Sequence, residues 1–170
     1  MIDVIAQGLG IIGAVFNIGS FQLKSNKKLI LCQFLGSSFF LFNYLLLGGY
    51  TGCIMNGLGV ARNLVFAAGQ RTRNAYVLIA MNYALILGTL FTWEGYLSLL
   101  PLAGMLAATI AMYSNDGKVI RIVQLFVSSP CWLIYNIATF TVGGIVCEVF
   151  VIISTLVSFI RFGFNGFERQ

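Results

Sequence analysis

Two ionisable side chains, Arg62 and Glu148, stand inside long apolar stretches of this 170-residue sequence. A charge at the depth of such a stretch costs several kcal/mol and is usually buried and paired. The chemistry that an acid and a base in that setting supply is contact with a small polar solute, or a proton-linked gate. Each also has a plainer reading. Arg62 can snorkel toward lipid headgroups, and Glu148 can cap a packed polar cluster between helices. Asn17, Asn43, Asn82, Tyr135 and Asn136 are further polar groups at similar depth. They suit a polar cavity, or interhelical hydrogen bonds worth about 0.6 kcal/mol each on average. Trp132 is deep enough to line a cavity, whereas Trp93 and Tyr96 suit an interfacial aromatic belt.

Other chemistries are excluded by what is missing. There is no histidine, the commonest metal ligand and acid–base side chain. There is no clustered carboxylate pair, no GxSxG and no phosphate-binding loop. The chain therefore reads as a non-enzyme, with no catalytic residue, metal or cofactor. Cys32, Cys53, Cys131 and Cys147 show no CxxC spacing and read as small buried hydrophobes. Cys53 and Cys147 fall near the same ends of two spans, but nothing requires a disulfide.

The elements that hold these groups are set by composition. Hydrophobic residues make up 59% of the chain and charged ones 9%, with a mean hydropathy of +0.92. Such a chain cannot cover a globular surface with polar groups. Its partner is the lipid bilayer, and the fold class is all-α and polytopic, since the apolar runs are long and lack the period of a barrel strand. Seven spans are expected at roughly 4–22, 29–47, 51–69, 75–93, 96–113, 119–139 and 142–161. The first, preceded by Asp3 and without a small-residue cleavage site, reads as a retained helix rather than a signal peptide.

Positive charge alternates between the loops. Lys24, Lys27 and Lys28 occupy the first, Arg71 and Arg73 the third, Lys118 and Arg121 the fifth, and Arg169 the tail, with Arg161 at its border. The other loops have no lysine or arginine. By the positive-inside rule the N-terminus is periplasmic and the C-terminus cytoplasmic. The net charge of +5 thus reflects orientation, and a nucleic-acid partner is rejected.

Sliding the sequence by 91 positions matches it partly to itself. Gly13 meets Gly104, Lys27 meets Lys118, Gln33 meets Gln124, Ser37-Ser38 meets Ser128-Ser129 and Tyr44 meets Tyr135. The matches predict a single membrane domain with a 3+1+3 plan. Its parts are a triple-helix repeat (1–70), a linker helix (71–94), a second repeat (95–164) and a tail (165–170). Both triplets begin on one side, so they are parallel and related by an axis along the membrane normal. In this register Arg62 corresponds to Ile153, five residues deeper than Glu148. That is an axial offset of about 7–8 Å at the helical rise, and the two side chains are expected to face a shared cavity and pair directly or through water.

The layout resembles the PQ-loop and SWEET superfamily of small transporters. The stretch "SFQLKSNKKLILCQFLGSSFFLFNYLLLGGYTGCIMNGLGVARNLVF" at 20–66 is similar to one branch, the YgjV family of bacterial inner-membrane proteins. Phe21-Gln22, Lys24-Ser25, Lys27, Gln33, the turn "LLLGGYTG", Asn56 and Arg62-Asn63 carry the likeness. It implies a seven-helix SWEET-like fold in the inner membrane and a small-solute transport role, without naming a solute. A receptor or assembly factor on the same fold is the alternative. Asn56 matches a substrate-contacting asparagine of SWEET proteins, and its repeat mate is Cys147. The superfamily's Pro-Gln mark is Phe21-Gln22 here and Met112-Tyr113 in the second repeat. Of the hinge prolines in four SWEET pore helices, this chain has only Pro101 and Pro130, and Phe39 is the mate of Pro130. A hinge at Pro130 then makes any rocking asymmetric.

Overall fold

In the computed structural model, residues 2–69, 72–139, 141–163 and 166–167 are described. Arg71 and Arg169, two charges of the loop pattern, lie outside them, as does the side chain of Asp3. The described residues form seven helices: α1 (Ile2–Ser20), α2 (Asn26–Leu47), α3 (Tyr50–Ala67), α4 (Ala75–Phe91), α5 (Tyr96–Ser114), α6 (Gly117–Ala138) and α7 (Val142–Phe162). Among the described residues, α2, α5, α6 and α7 are long and apolar enough to cross a membrane, and α1 and α4 are apolar but shorter.

The ends of the helices follow local chemistry. Gly48 takes a φ of 75°, and Gly49 donates its N–H to Tyr44 O at 3.0 Å, so α2 turns into α3 over two residues. Asp116 caps α6 by accepting from Lys118 N at 2.8 Å. Asn74 caps α4 through Val77 N. Pro101 sits in the first turns of α5, where its missing N–H is tolerated. In α6 the backbone widens to a π turn over Gln124–Ser128 directly before Pro130. A proline ring crowds the carbonyl four residues earlier, and the wide turn relieves that contact. The mate position, Phe39, lies in an uninterrupted α2.

Packing joins α1 to α2 and α7, α2 to α3, α3 to α5, α5 to α6, and α6 to α7. These contacts close a ring of six helices. α4 lies outside it, against α3 and α5. Close approach uses small residues. A Cβ on Gly13 would stand 3.1 Å from Gly36 O in the α1–α2 contact, and one on its mate Gly104 3.3 Å from Ser128 O in the α5–α6 contact. Gly8, also spaced for close approach, meets nothing.

The interior is inverted relative to a water-soluble domain. Polar side chains are as frequent as apolar ones among the buried residues, while Ile11, Val15, Phe42, Ile79, Leu90 and Ile160 point outward. Such a surface is solvated by lipid tails, and the bundle coheres by packing and internal hydrogen bonds. Lys27, Lys28, Lys118 and Arg121 start helices rather than fill loops. Arg121 is 0% exposed. The four cysteines are free thiols.

Candidate functional site

The ring surrounds a cavity of about 90 Å³. Its lining includes five pairs of residues 91 positions apart: Asn17 and Ala108, Phe21 and Met112, Gln33 and Gln124, Ser37 and Ser128, and Asn56 and Cys147. Arg62, Trp132, Asn136 and Glu148 also face it. Amides, hydroxyls, one guanidinium and one carboxyl thus share a small space walled by Phe21, Phe40 and Met105. This is the usual make-up of a solute site, in which a few polar groups orient a ligand against apolar walls.

Arg62 is 5% exposed. Its Nε and Nη2 donate to Asn63 Oδ1 at 3.1 and 3.0 Å, and its Nη1 donates to Thr109 Oγ1 at 3.4 Å. The Nη1 bond joins α3 to α5, and the guanidinium is turned into the bundle rather than outward. Among the described residues no carboxylate lies within ion-pair distance of it. Glu148 approaches the Ser129 hydroxyl on α6, and its Oε2 is buried without a hydrogen-bond partner. The direct Arg62–Glu148 pair expected from the repeat register is not formed. Both groups face the cavity separately.

Asn56 donates its Nδ2 to Gly52 O within α3, at 2.8 Å. Tyr44 O–H donates to Asn136 Oδ1 at 2.7 Å, joining α2 to α6 across the ring. Trp132 packs on Tyr44 and edge-on to Tyr135, with ring centroids 6.3 and 6.0 Å apart. The opposite end of the lining is formed by the mates Phe21 and Met112, at the C-terminal ends of α1 and α5.

Two arginines tie the helix ends near Phe21 and Met112. Arg121 Nη2 donates to Leu23 O at 2.7 Å and Phe21 O at 3.2 Å, and its Nε to Ser158 Oγ at 3.2 Å. It joins α6 to the end of α1 and to α7. Arg73 donates to Met112 O and Phe66 O, so it holds α5 to α3. Gln22 adds a bond from Nε2 to Ser154 O at 2.7 Å, again between α1 and α7.

A family profile described as a bacterial inner membrane protein, Imp-YgjV, matches residues 4–165. The chain belongs to the YgjV family. The inner membrane protein YgjV of Escherichia coli (strain K12) is similar over 159 residues, at 28% identity, covering 93% of this chain and 84% of that relative. No solved structure matches the chain. A YgjV-family bundle of apolar helices is an inner membrane protein.

The sequence-derived candidates divide. Asn17, Asn56, Arg62, Trp132, Asn136 and Glu148 converge on the cavity. Asn43 lies outside it and donates to Ala6 O at 2.7 Å, which is helix glue. Tyr135 donates to Glu94 Oε2 at 3.2 Å. Asn82 stands on the outer helix α4, with its Oδ1 buried and without a partner. Sequence reasoning missed Gln33, Ser37, Gln124 and Ser128 as cavity residues. Their signal was present, since all four are polar matches of the 91-residue repeat. Glu94 was also missed as an anchor. Its Oε1 accepts from Tyr50 N at 3.1 Å, capping α3 from another loop.

Proposed function

We propose that this inner membrane protein carries a small polar solute through the cavity between two parallel triple-helix repeats. In this reading all seven helices span the bilayer in a SWEET-like 3+1+3 plan, with the N-terminus periplasmic and the C-terminus cytoplasmic. The observation that carries it is the set of five residue pairs, 91 positions apart, lining one cavity. Two equivalent halves around a central polar site are the plan on which alternating access operates, by rocking one half against the other. The packing agrees. Exchanging α1 for α5, α2 for α6 and α3 for α7 turns the α1–α7 contact into the α5–α3 contact, and both exist. The π turn before Pro130 gives one half a flexible point that α2 lacks.

Thermal stabilisation of the purified protein across a metabolite panel, followed by uptake into proteoliposomes, tests the reading. A solute that raises Tm in the wild type, loses its effect in Asn56→Ala and Glu148→Gln, and accumulates in vesicles is the expected result. Binding without flux would favour a receptor on the same fold. Reporter fusions test orientation. A reporter active in the periplasm should respond at residues 93–96 and stay silent at 70–74.

A further inference from the structure

We infer that the solute is a small zwitterion, its carboxylate bound by Arg62 and its ammonium by Glu148. The inference rests on the solute-binding cavity proposed above and names what fills it. Arg62 is a cation and Glu148 an acid that a bound ammonium would hold ionised; the two line the same space of about 90 Å³ and do not pair with each other. Each lacks the counter-charge that a buried ion requires. Among the described residues Arg62 has hydrogen bonds only to an amide oxygen, a hydroxyl and, at 3.8 Å, the Met105 sulfur. A guanidinium has five N–H donors, and these four contacts leave one Nη2 N–H for a carboxylate. Glu148 has the complementary gap, a buried Oε2 with no partner.

Other solute classes leave one group unsatisfied. A lone anion answers Arg62 and is repelled by an ionised Glu148. A lone cation does the reverse. A neutral polyol satisfies hydrogen bonds but leaves two buried charges without counter-ions. A zwitterion answers both, and its own large desolvation is offset at both ends. The amides of Gln33, Gln124 and Asn17 can bind its remaining lone pairs and protons. Size narrows the class. An engineered cavity of about 150 Å³ holds a benzene molecule, so this smaller space fits the smallest amino acids, of the glycine type, and rejects aromatic ones.

The test compares four small probes on the purified full chain: glycine, acetate, methylammonium and glycerol. Glycine should raise Tm by about 5 °C at saturation, and the other three should have little effect. Glu148→Gln is close to isosteric and removes only the carboxylate charge. It should abolish the glycine response and create one to acetate. Arg62→Gln should abolish the glycine response and create one to methylammonium, and Arg62→Lys, which keeps the charge, should restore part of it. A merely structural role for either residue would not exchange one probe for another. Acetate as effective as glycine in the wild type would overturn the inference. Stabilisation and uptake of glycerol, with glycine inert, would overturn it while leaving the transport reading intact. Absence of both binding and flux for every solute of the wider panel would remove both.

Discussion

The hydroxyl of Tyr44 and the amide of Asn136 meet at 2.7 Å, with both side chains buried and on opposite sides of the ring. Tyr44→Phe keeps the ring that stacks near Trp132 and removes only the donor. Asn136 Oδ1 then loses its donor, so the loss should be about 1–2 kcal/mol, read as a lower Tm in detergent. Gly144→Ala should act on the same contact by a different route. A Cβ there would stand about 2.5 Å from the Asn136 amide, so Asn136 has to rotate away from Tyr44. If both act through one bond, the double variant Tyr44→Phe/Gly144→Ala loses less than the sum of the two, and additive losses would refute the coupling. Polar residues within spans were legible as a set because apolar neighbours make them stand out. Their division between cavity and glue was not. In lipid the outside of a helix is as apolar as its packed face, so hydropathy does not mark the inward side. That is why Asn43 and Asn56 look alike in sequence and lie in different places. The repeat register held the missing direction for Gln33 and Gln124, since a pseudo-axis brings equivalent residues to one centre, but in sequence they read only as a match and not as cavity residues.

At the level of helices, spans of roughly 20 apolar residues were readable from the sequence, and their ends fell within a few residues of the observed ones. The exceptions have a common cause. Lys27, Lys28, Lys118 and Arg121 read as loop residues because they are charged, yet they lie in the first two turns of helices, where a long side chain can reach water or a carbonyl. Arg121 shows the cost of reading charge as topology alone: it is buried on the carbonyls of Phe21 and Leu23 and over the Phe167 ring at 4.1 Å. Arg121→Gln should remove charge-assisted bonds between α1, α6 and α7 and lower stability by about 2–4 kcal/mol. Arg73→Gln, at the half-buried α3–α5 seam, should cost less, about 1–2 kcal/mol. Unfolding followed by tryptophan fluorescence ranks the two, and equal losses would contradict the difference in burial. Pro130→Ala tests the wide turn. Restoring an N–H at position 130 should let α6 close to regular α geometry and stiffen it, giving a higher Tm with slower solute flux. An unchanged flux would show that Pro130 is not a hinge.

For the molecule as a whole, the decisive property is whether the cavity communicates with both sides of the membrane. Cys147 offers a native reporter. It is buried on α7, lines the cavity, meets Asn17, and is the repeat mate of Asn56. In a variant with Cys32, Cys53 and Cys131 changed to alanine, it is the only thiol. Small, membrane-impermeant methanethiosulfonate reagents can then be applied to right-side-out and inverted vesicles in turn. In the state described here, Tyr44 bonded to Asn136 and the Phe21–Met112 pair border the cavity, and arginines tie the helix ends beside that pair. Modification from each face is then limited by the boundary on that side. Tyr44→Phe should speed it from the periplasmic face, and Arg73→Gln from the cytoplasmic face, each by about tenfold if the lost bond contributes about 1.4 kcal/mol to closure. Selective acceleration requires both the proposed orientation and a separate closure at each end. Labelling from one face only, in every variant, would make the cavity a pocket and favour a receptor over a carrier. Acceleration at the opposite faces would invert the orientation while preserving the two-ended cavity.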